Sequence, residues 1–216
     1  MPDLPILIGQ YDSPFTRRVA VALRRYGVSY EHRPWSVWRN AEEVGRLNPL
    51  VRVPVLVIED GTALIESAAI LEYLDEIAGP ERALLPRSGP LRREGLRLCA
   101  LATGLGDKAV SLLYEGLLRD APSQVWQTRC RRQIEGTLDV LEAERAPRVT
   151  PLWFGETLGH VDVAVACVLR FTTEAHAGLF EPTRWPSLAA HAARCEALDD
   201  FRAVVQPLTV TVSAKS

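Results

Sequence analysis

Apolar positions fall into short runs in the first third of the chain and recur at helical spacing in the remainder. The pattern predicts strands mixed with helices first and helices alone afterwards. Leu4 to Gly9 reads as a short strand, broken by Gln10-Tyr11-Asp12-Ser13-Pro14. Phe15, Val19, Leu23 and Tyr26 then recur near helical spacing, with Ser13 in capping position, Pro14 at the first helical position and Gly27 as terminator. Val28 to Arg33 predicts a second strand, and a short helical pattern covers Ala41 to Leu47. Asn48-Pro49 makes a turn, Pro54 to Ile58 is β-branched and apolar, and Glu59-Asp60-Gly61 turns the chain into a returning strand over Thr62 to Ile65. Glu66-Ser67 opens a further helix that stops at Gly79-Pro80.

Beyond a Pro- and Gly-marked stretch, helices are predicted over Leu91 to Leu118, Ser123 to Glu144, Val161 to Ala175 and Ser187 to Leu198, with a loose tail from Thr209 to Ser216. The fold class is therefore α/β plus all-α. Residues 1–80 form the mixed domain, 81–89 a linker and 90–216 a helical domain.

Composition narrows the function classes. The chain has 216 residues, 47% hydrophobic and 24% charged, with a net charge of -2, the profile of an ordinary folded protein and not of a disordered or nucleic-acid-wrapping one. Its bases are nearly all Arg, and pairs such as Arg17-Arg18 and Arg24-Arg25 read as the wet face of amphipathic helices. No nucleic-acid partner is expected. The start MPDLPILIGQYD lacks a basic n-region and a spanning apolar stretch, so no membrane association is expected and the expected location is the cytoplasm. Cys99, Cys130, Cys167 and Cys195 are far apart without metal-ligand spacing and read as buried small hydrophobes.

Candidate chemistry lies at the breaks between elements. Ser13 sits at a helix start, where unpaired N–H groups and the helix dipole stabilise an anion. A thiolate brought there by a cosubstrate would be favoured for the same reason, and the Ser13 hydroxyl would need only to donate a hydrogen bond to it. Tyr11 could turn its phenol to the same cleft. Val53-Pro54 precedes a strand; a cis bond there would expose the Val53 N–H and C=O to a bound peptide. Glu66 and Ser67 open another helix and fit the ammonium and carboxylate of a γ-glutamyl group. Arg52 and Arg39 could meet a carboxylate at the ligand's other end. Each has a plain structural alternative: an ordinary cap for Ser13, packing for Tyr11, a trans proline on an edge strand for Pro54, and a first-turn acid beside a capping serine for Glu66 and Ser67.

Taken in order, Asp12-Ser13-Pro14-Phe15-Thr16-Arg17-Arg18-Val19, Asn48-Pro49 with Arg52-Val53-Pro54-Val55-Leu56, and Glu66-Ser67-Ala68-Ala69-Ile70 leading to Tyr73-Leu74 resemble the N-terminal domain of the glutathione S-transferase family. The Ser-Pro-Phe run is similar to the family's serine-using branches, such as the plant tau class and bacterial relatives, and departs from the omega-like Cys-Pro-Phe. The resemblance implies a thioredoxin-like N-terminal domain, glutathione as cosubstrate, no metal and a two-fold homodimer. By it, Ser13 stabilises the glutathione thiolate, Val53 pairs with the cysteinyl backbone beside a cis Pro54, and Glu66 with Ser67 holds the γ-glutamyl end. Tyr11, Phe15, Ser111 and Tyr114 then border the second substrate. The implied activity is conjugation of the thiolate to a small hydrophobic electrophile, with glutathione peroxidase activity as an additional one. The alternative is a non-enzymatic binding or regulatory protein of the same fold. A thiol transferase needs a nucleophilic cysteine, and none stands near these motifs. Gly159-His160-Val161-Asp162 resembles the family's helix-start motif with Gly in place of the capping Ser or Thr, a structural role. His160 and His176 have no catalytic setting.

Overall fold

A computed structural model of the chain describes residues 4–209. They divide into two compact units, residues 4–83 together with 199–209, and residues 84–198.

The first unit carries the elements β1 (Ile6–Ile8), α1 (Pro14–Tyr26), β2 (Glu31–Arg33), α2 (Ala41–Leu47), β3 (Val55–Val57), β4 (Ala63–Ile65) and α3 (Ser67–Ala78). The strands form one sheet in the order β2-β1-β3-β4, with β1 parallel to β2 and antiparallel to β3, and β3 antiparallel to β4. Ile8 faces Val55 and Ile6 faces Val57 in register, so the residues just after β1 and just before β3 emerge at the same end of the sheet. Leu7, Ile8, Val55 and Leu56 are completely buried, which is why these short runs are apolar throughout. Ser13 caps α1 by accepting from the Thr16 N–H at 3.3 Å, and Gly27 closes it in the left-handed conformation (φ 70°, ψ 24°) that favours glycine.

The Arg17-Arg18 pair departs from the wet-face expectation. Both side chains are buried, at 1% and 3% exposure. Arg17 donates from Nε to the Val204 carbonyl at 3.0 Å and from Nη2 to the Phe201 carbonyl at 3.2 Å, and its guanidinium stands 5.5 Å from the centre of the Phe201 ring. The partners come from a short helix, α8 (Asp199–Arg202), and the segment after it, which belong with the first unit. The sequence reading extended the helical domain through this stretch. Thr209, first residue of the expected loose tail, donates its N–H to Asp12 Oδ2 at 3.0 Å; positions 210–216 lie outside the described residues.

The second unit holds α4 (Pro90–Leu118), α5 (Gln124–Arg145), α6 (His160–Ala175) and α7 (Pro186–Glu196). Helix α6 packs against α4 and α7, and α4 against α5. Val161, Val163, Val165, Val168 and Leu169 of α6 are at most 2% exposed. At about 1.5–3 kcal/mol per fully buried side chain, that helix contributes on the order of 10 kcal/mol before chain entropy is set against it. All four cysteines are buried and none forms a disulfide.

Candidate active site

The first of three loops at one end of the sheet follows β1. Gly9 has φ 128°, and a Cβ placed on it would stand 2.5 Å from Thr16 Oγ1 and 2.8 Å from Val53 Cβ. Only glycine therefore lets β1, the first turn of α1 and the loop before β3 come together here. Ser13 Oγ accepts from Thr16, and the Ser13 carbonyl accepts from the Arg17 N–H at 2.9 Å. Pro14 has no N–H to satisfy. The acceptor side of the Ser13 hydroxyl thus serves the helix, and its proton remains available to a group in front of it.

The second loop leads into β3. The Val53-Pro54 bond is cis. Asn48, fully buried, organises the approach: its Nδ2 donates to the Arg52 carbonyl at 2.9 Å, and its Oδ1 accepts from the Leu50 N–H at 3.1 Å. Val51 is held at φ 50°, a conformation that costs a β-branched residue on the order of 1–3 kcal/mol. The Val53 N–H and C=O make no hydrogen bond among the described residues.

The third loop opens α3. Glu66 stands at its cap position with φ 65°, again left-handed for a residue other than glycine, and its side chain makes no capping bond. Ser67 is 5% exposed, and its Oγ accepts from Arg18 Nη1 at 3.4 Å. Arg52 Nη1 lies 3.8 Å from Glu66 Oε1, both side chains half exposed, an ion pair worth little in itself. The contacts Gly9 to Thr16 and Val53, Arg52 to Glu66, and Arg18 to Ser67 bring the three loops side by side. Strained backbone at Val51 and Glu66 clusters there, as it does where a loop is shaped for a ligand.

Tyr11 is placed differently from a free phenol. Its hydroxyl is 2.7 Å from that of Tyr30, and its ring stacks on His32 with centroids 3.9 Å apart. Burial first, then the Tyr30 bond, pushes its pKa far up, so it stays a neutral phenol. Phe15 is half-buried in the first turn of α1, and Arg39 is exposed.

In the helical unit, Ser111 and Tyr114 line a hollow of about 840 Å3 together with Glu115, Leu118, Arg119 and Trp126. Ser111 Oγ donates to the Asp107 carbonyl at 2.8 Å. Buried Glu115 accepts from the Ser123 N–H at 2.8 Å and from Arg119 Nε at 3.0 Å. Trp126 was not legible as a lining residue, because the break between α4 and α5 separates it from Tyr114 in the sequence.

Asp162, three residues after Gly159, accepts from the Gly159 N–H at 2.8 Å and from the Trp153 N–H at 2.7 Å. Gly159 has no side chain to return the bond, so only half of a reciprocal capping box exists. Burial pushes the Asp162 pKa up to about 6 against the pull of those two N–H bonds. Beside it, His191 Nε2 is 3.4 Å from Asp162 Oδ1 and His191 Nδ1 accepts from Arg145 Nε at 3.3 Å. Burial, then Arg145 and Arg194, brings the His191 pKa down to about 3, so this ring is neutral. Nothing along the chain marks this buried cluster, since its members come from α5, α6 and α7. Among the described residues no group of three or more His, Cys, Asp or Glu could hold a metal ion, and no helix is long and apolar enough to cross a membrane.

The first unit is a mixed α/β, thioredoxin-like domain, and the helices of the second form an all-helical bundle. Residues 7–82 match the family described as glutathione S-transferase, N-terminal domain, and residues 124–194 match glutathione S-transferase, C-terminal domain. The uncharacterized GST-like protein YibF of Escherichia coli (strain K12) is 32% identical over 76% of this chain and 80% of its own. Glutathione S-transferase U22 of Arabidopsis thaliana is 28% identical over 90% of this chain and 87% of its own. A crystal structure of a glutathione S-transferase from Methylobacterium radiotolerans JCM 2831, in complex with glutathione sulfonate, superposes with a TM-score of 0.88 at 30% identity, covering 98% of this chain and 99% of that one. The chain belongs to the glutathione S-transferase family.

Proposed function

We propose that this transferase binds glutathione across the three loops, lowers the pKa of its thiol at the start of α1, and conjugates the thiolate to a small hydrophobic electrophile. The observation that carries the reading is the convergence of the Ser13 hydroxyl, the unpaired Val53 backbone and the Glu66-Ser67 helix start at one end of the sheet. In this reading the Ser13 O–H donates to the sulfur, and the helix start supplies positive potential. Val53 pairs with the cysteinyl backbone, while Ser67 and the N-terminal turn of α3 receive the γ-glutamyl carboxylate. Glu66 takes the ammonium, which releases Arg52 to the glycyl carboxylate. The thiolate attacks the electrophilic carbon, a C–S bond forms, and the leaving group departs with the electron pair of the broken bond.

A serine-type enzyme is supported by Ser13 in place of a cysteine. Ser111 and Tyr114 are the residues of the helical unit that the family resemblance assigns to the electrophile. The reading includes a cytoplasmic homodimer, as the family resemblance implies, and reduction of organic hydroperoxides as a second outlet for the same thiolate. The test is glutathione titration with a panel of activated halides, unsaturated carbonyls and hydroperoxides, comparing the parent with Ser13→Ala. Loss of about 100-fold in kcat/KM is expected, the size found for removing one preorganised donor. Unchanged turnover in the variant removes Ser13 from the mechanism, and tight glutathione binding with no turnover of any electrophile contradicts the enzymatic reading.

A further inference from the structure

The loop between β1 and α1 that carries Ser13 is held from two sides. On the side of the Tyr11 ring, that ring stacks on His32, its hydroxyl meets that of Tyr30, and His32 Nε2 lies 2.8 Å from the Gly9 carbonyl. On the backbone side the partner is remote in sequence: the Tyr11 N–H donates to Gln206 Oε1 at 3.0 Å. The proposed function gives Gln206 no part.

Gln206, half-buried, belongs to an anchored segment. Ahead of it the Phe201 and Val204 carbonyls both accept from the buried Arg17 guanidinium, at 3.2 and 3.0 Å, and Phe201 and Val204 are themselves at most 1% exposed. Two charge-assisted bonds from one rigid fork fix the segment on α1 before it reaches the loop. Behind Gln206, the Thr209 N–H donates to Asp12 Oδ2 at 3.0 Å. Residues 201–209 thus form a strap that meets Arg17, then Tyr11, then Asp12, and so brackets Ser13 in the sequence.

The bond to Tyr11 reaches Ser13 through one peptide plane. The Tyr11 N–H shares a planar trans peptide with the Gln10 carbonyl, and that carbonyl accepts from the Ser13 N–H at 3.2 Å. In a trans peptide the N–H and C=O point in opposite directions, so Gln206 holds one side of the plane and Ser13 is held by the other. Fixing the N–H therefore fixes the carbonyl, and two bonds in series polarise each other. Without Gln206 the plane is free to rotate, the Ser13 N–H loses its acceptor, and the Ser13 hydroxyl is no longer set at one angle to the start of α1.

We propose that Gln206 is a positioning residue for Ser13: its amide oxygen fixes the Gln10-Tyr11 peptide plane, whose carbonyl holds the Ser13 backbone and so sets the direction in which the Ser13 hydroxyl meets the thiol. The inference rests on the role given to Ser13 in the proposed function. Gln206 itself touches no reacting atom and acts only through the loop.

The test is steady-state kinetics of the full chain at saturating glutathione, with an activated aryl halide as electrophile, for the parent, Gln206→Met, Ser13→Ala and the double variant. Gln206→Met keeps the length of the side chain and removes its amide oxygen. It is expected to lower kcat about tenfold, as a misaimed donor does, and to leave KM for glutathione within about twofold, because Val53, Glu66 and Ser67 still hold the peptide. Hydrogen exchange of the Tyr11 amide is expected to be faster in Gln206→Met than in the parent. Added to Ser13→Ala, Gln206→Met is expected to lower kcat by less than about twofold, since the group through which it acts is gone. A merely structural strap would lower kcat by the same factor in both backgrounds, and that result would overturn the proposal. So would parent-like kcat or parent-like Tyr11 exchange in Gln206→Met while Ser13→Ala shows its loss. If Ser13→Ala itself turns over like the parent, the proposed function fails first and this inference falls with it.

Discussion

The starts of α1 and α6 meet the same requirement, donors without partners in a first helical turn, with opposite results. At α6 a buried carboxylate, Asp162, takes the Gly159 and Trp153 N–H groups at 2.8 and 2.7 Å and is itself sealed from solvent at 1% exposure. At α1 the half-buried Ser13 accepts one N–H and keeps its own proton, next to a loop whose Val53 backbone is unpaired among the described residues. One helix start is used up by the protein; the other keeps a proton donor unspent, which is where the proposed function puts the ligand. The comparison teaches that a helix start becomes a binding site through what its neighbours leave unsatisfied, since the dipole is common to both.

Removing each cap separates the two roles. Asp162→Ala orphans two N–H groups in a dry setting, and at about 1–3 kcal/mol each a loss of about 4 kcal/mol is expected in denaturant unfolding, with kcat/KM of the remaining folded protein near the parent's. Ser13→Ala costs about 1 kcal/mol, the ordinary value of an N-cap, so a shift of about 2–4 °C in melting is expected beside a much larger effect on turnover. Equal stability losses in the two variants would break the comparison.

Gly9→Ala tests whether the open site depends on close approach. With φ 128° and a Cβ 2.5 Å from Thr16 Oγ1 and 2.8 Å from Val53 Cβ, the variant is expected to lose about 2 kcal/mol of stability. It is also expected to show a raised KM for glutathione, because the cis-proline loop and α1 are pushed apart. Unchanged KM would show that the two loops act independently.

Acid sharpens the closed site. The His191 pKa lies near 3 in the fold against about 6.5 unfolded, so its contribution is present above pH 6.5 and lost as pH falls toward 3. The Asp162 pKa lies near 6 against about 3.9 unfolded, so its contribution is present below that lower value and lost as pH rises through 6. Between pH 4 and 6 the folded chain holds the extra proton on Asp162 and the unfolded chain holds it on His191, and the pair adds almost no slope. Asp162→Asn removes one side of that balance. Relative to the parent, its stability is expected to fall more steeply by about 1.4 kcal/mol per pH unit between pH 6 and 4, read from urea midpoints. The same slope in both proteins would contradict the assignment. The smallest effect is expected from Gly159→Ser, which restores the missing half of the capping box but brings a Cβ to 3.1 Å from the Leu84 carbonyl; a net change under about 1 kcal/mol in melting is expected.

Much of the open site was legible because its signals are local. Ser13 before Pro14, the Glu59-Asp60-Gly61 turn, and the Ala41–Leu47 helix follow from neighbours along the chain. The strands were found but overdrawn: Leu4 to Gly9 narrows to Ile6–Ile8, since a hydrophobic run does not show where ladder pairing ends. What sequence reading missed is held by contacts between distant positions. Arg17 looked solvated because its partners, the Phe201 and Val204 carbonyls, lie more than 180 residues away. For the same reason nothing local marked residues 199–209 as part of the first unit. The His191 cluster escaped notice because a lone histidine on an amphipathic helix carries no sign of the Arg145 and Asp162 side chains that meet it.

The most direct measurement is the ionisation of the glutathione thiol on the enzyme, followed by thiolate absorbance as pH is raised, in the parent and in Ser13→Ala. The account predicts a bound thiol that titrates clearly below the ordinary value of about 8.5 in the parent and returns toward it in the variant, with the peptide still bound. A thiol titrating at its free value in the parent, or one equally depressed in both proteins, would contradict it.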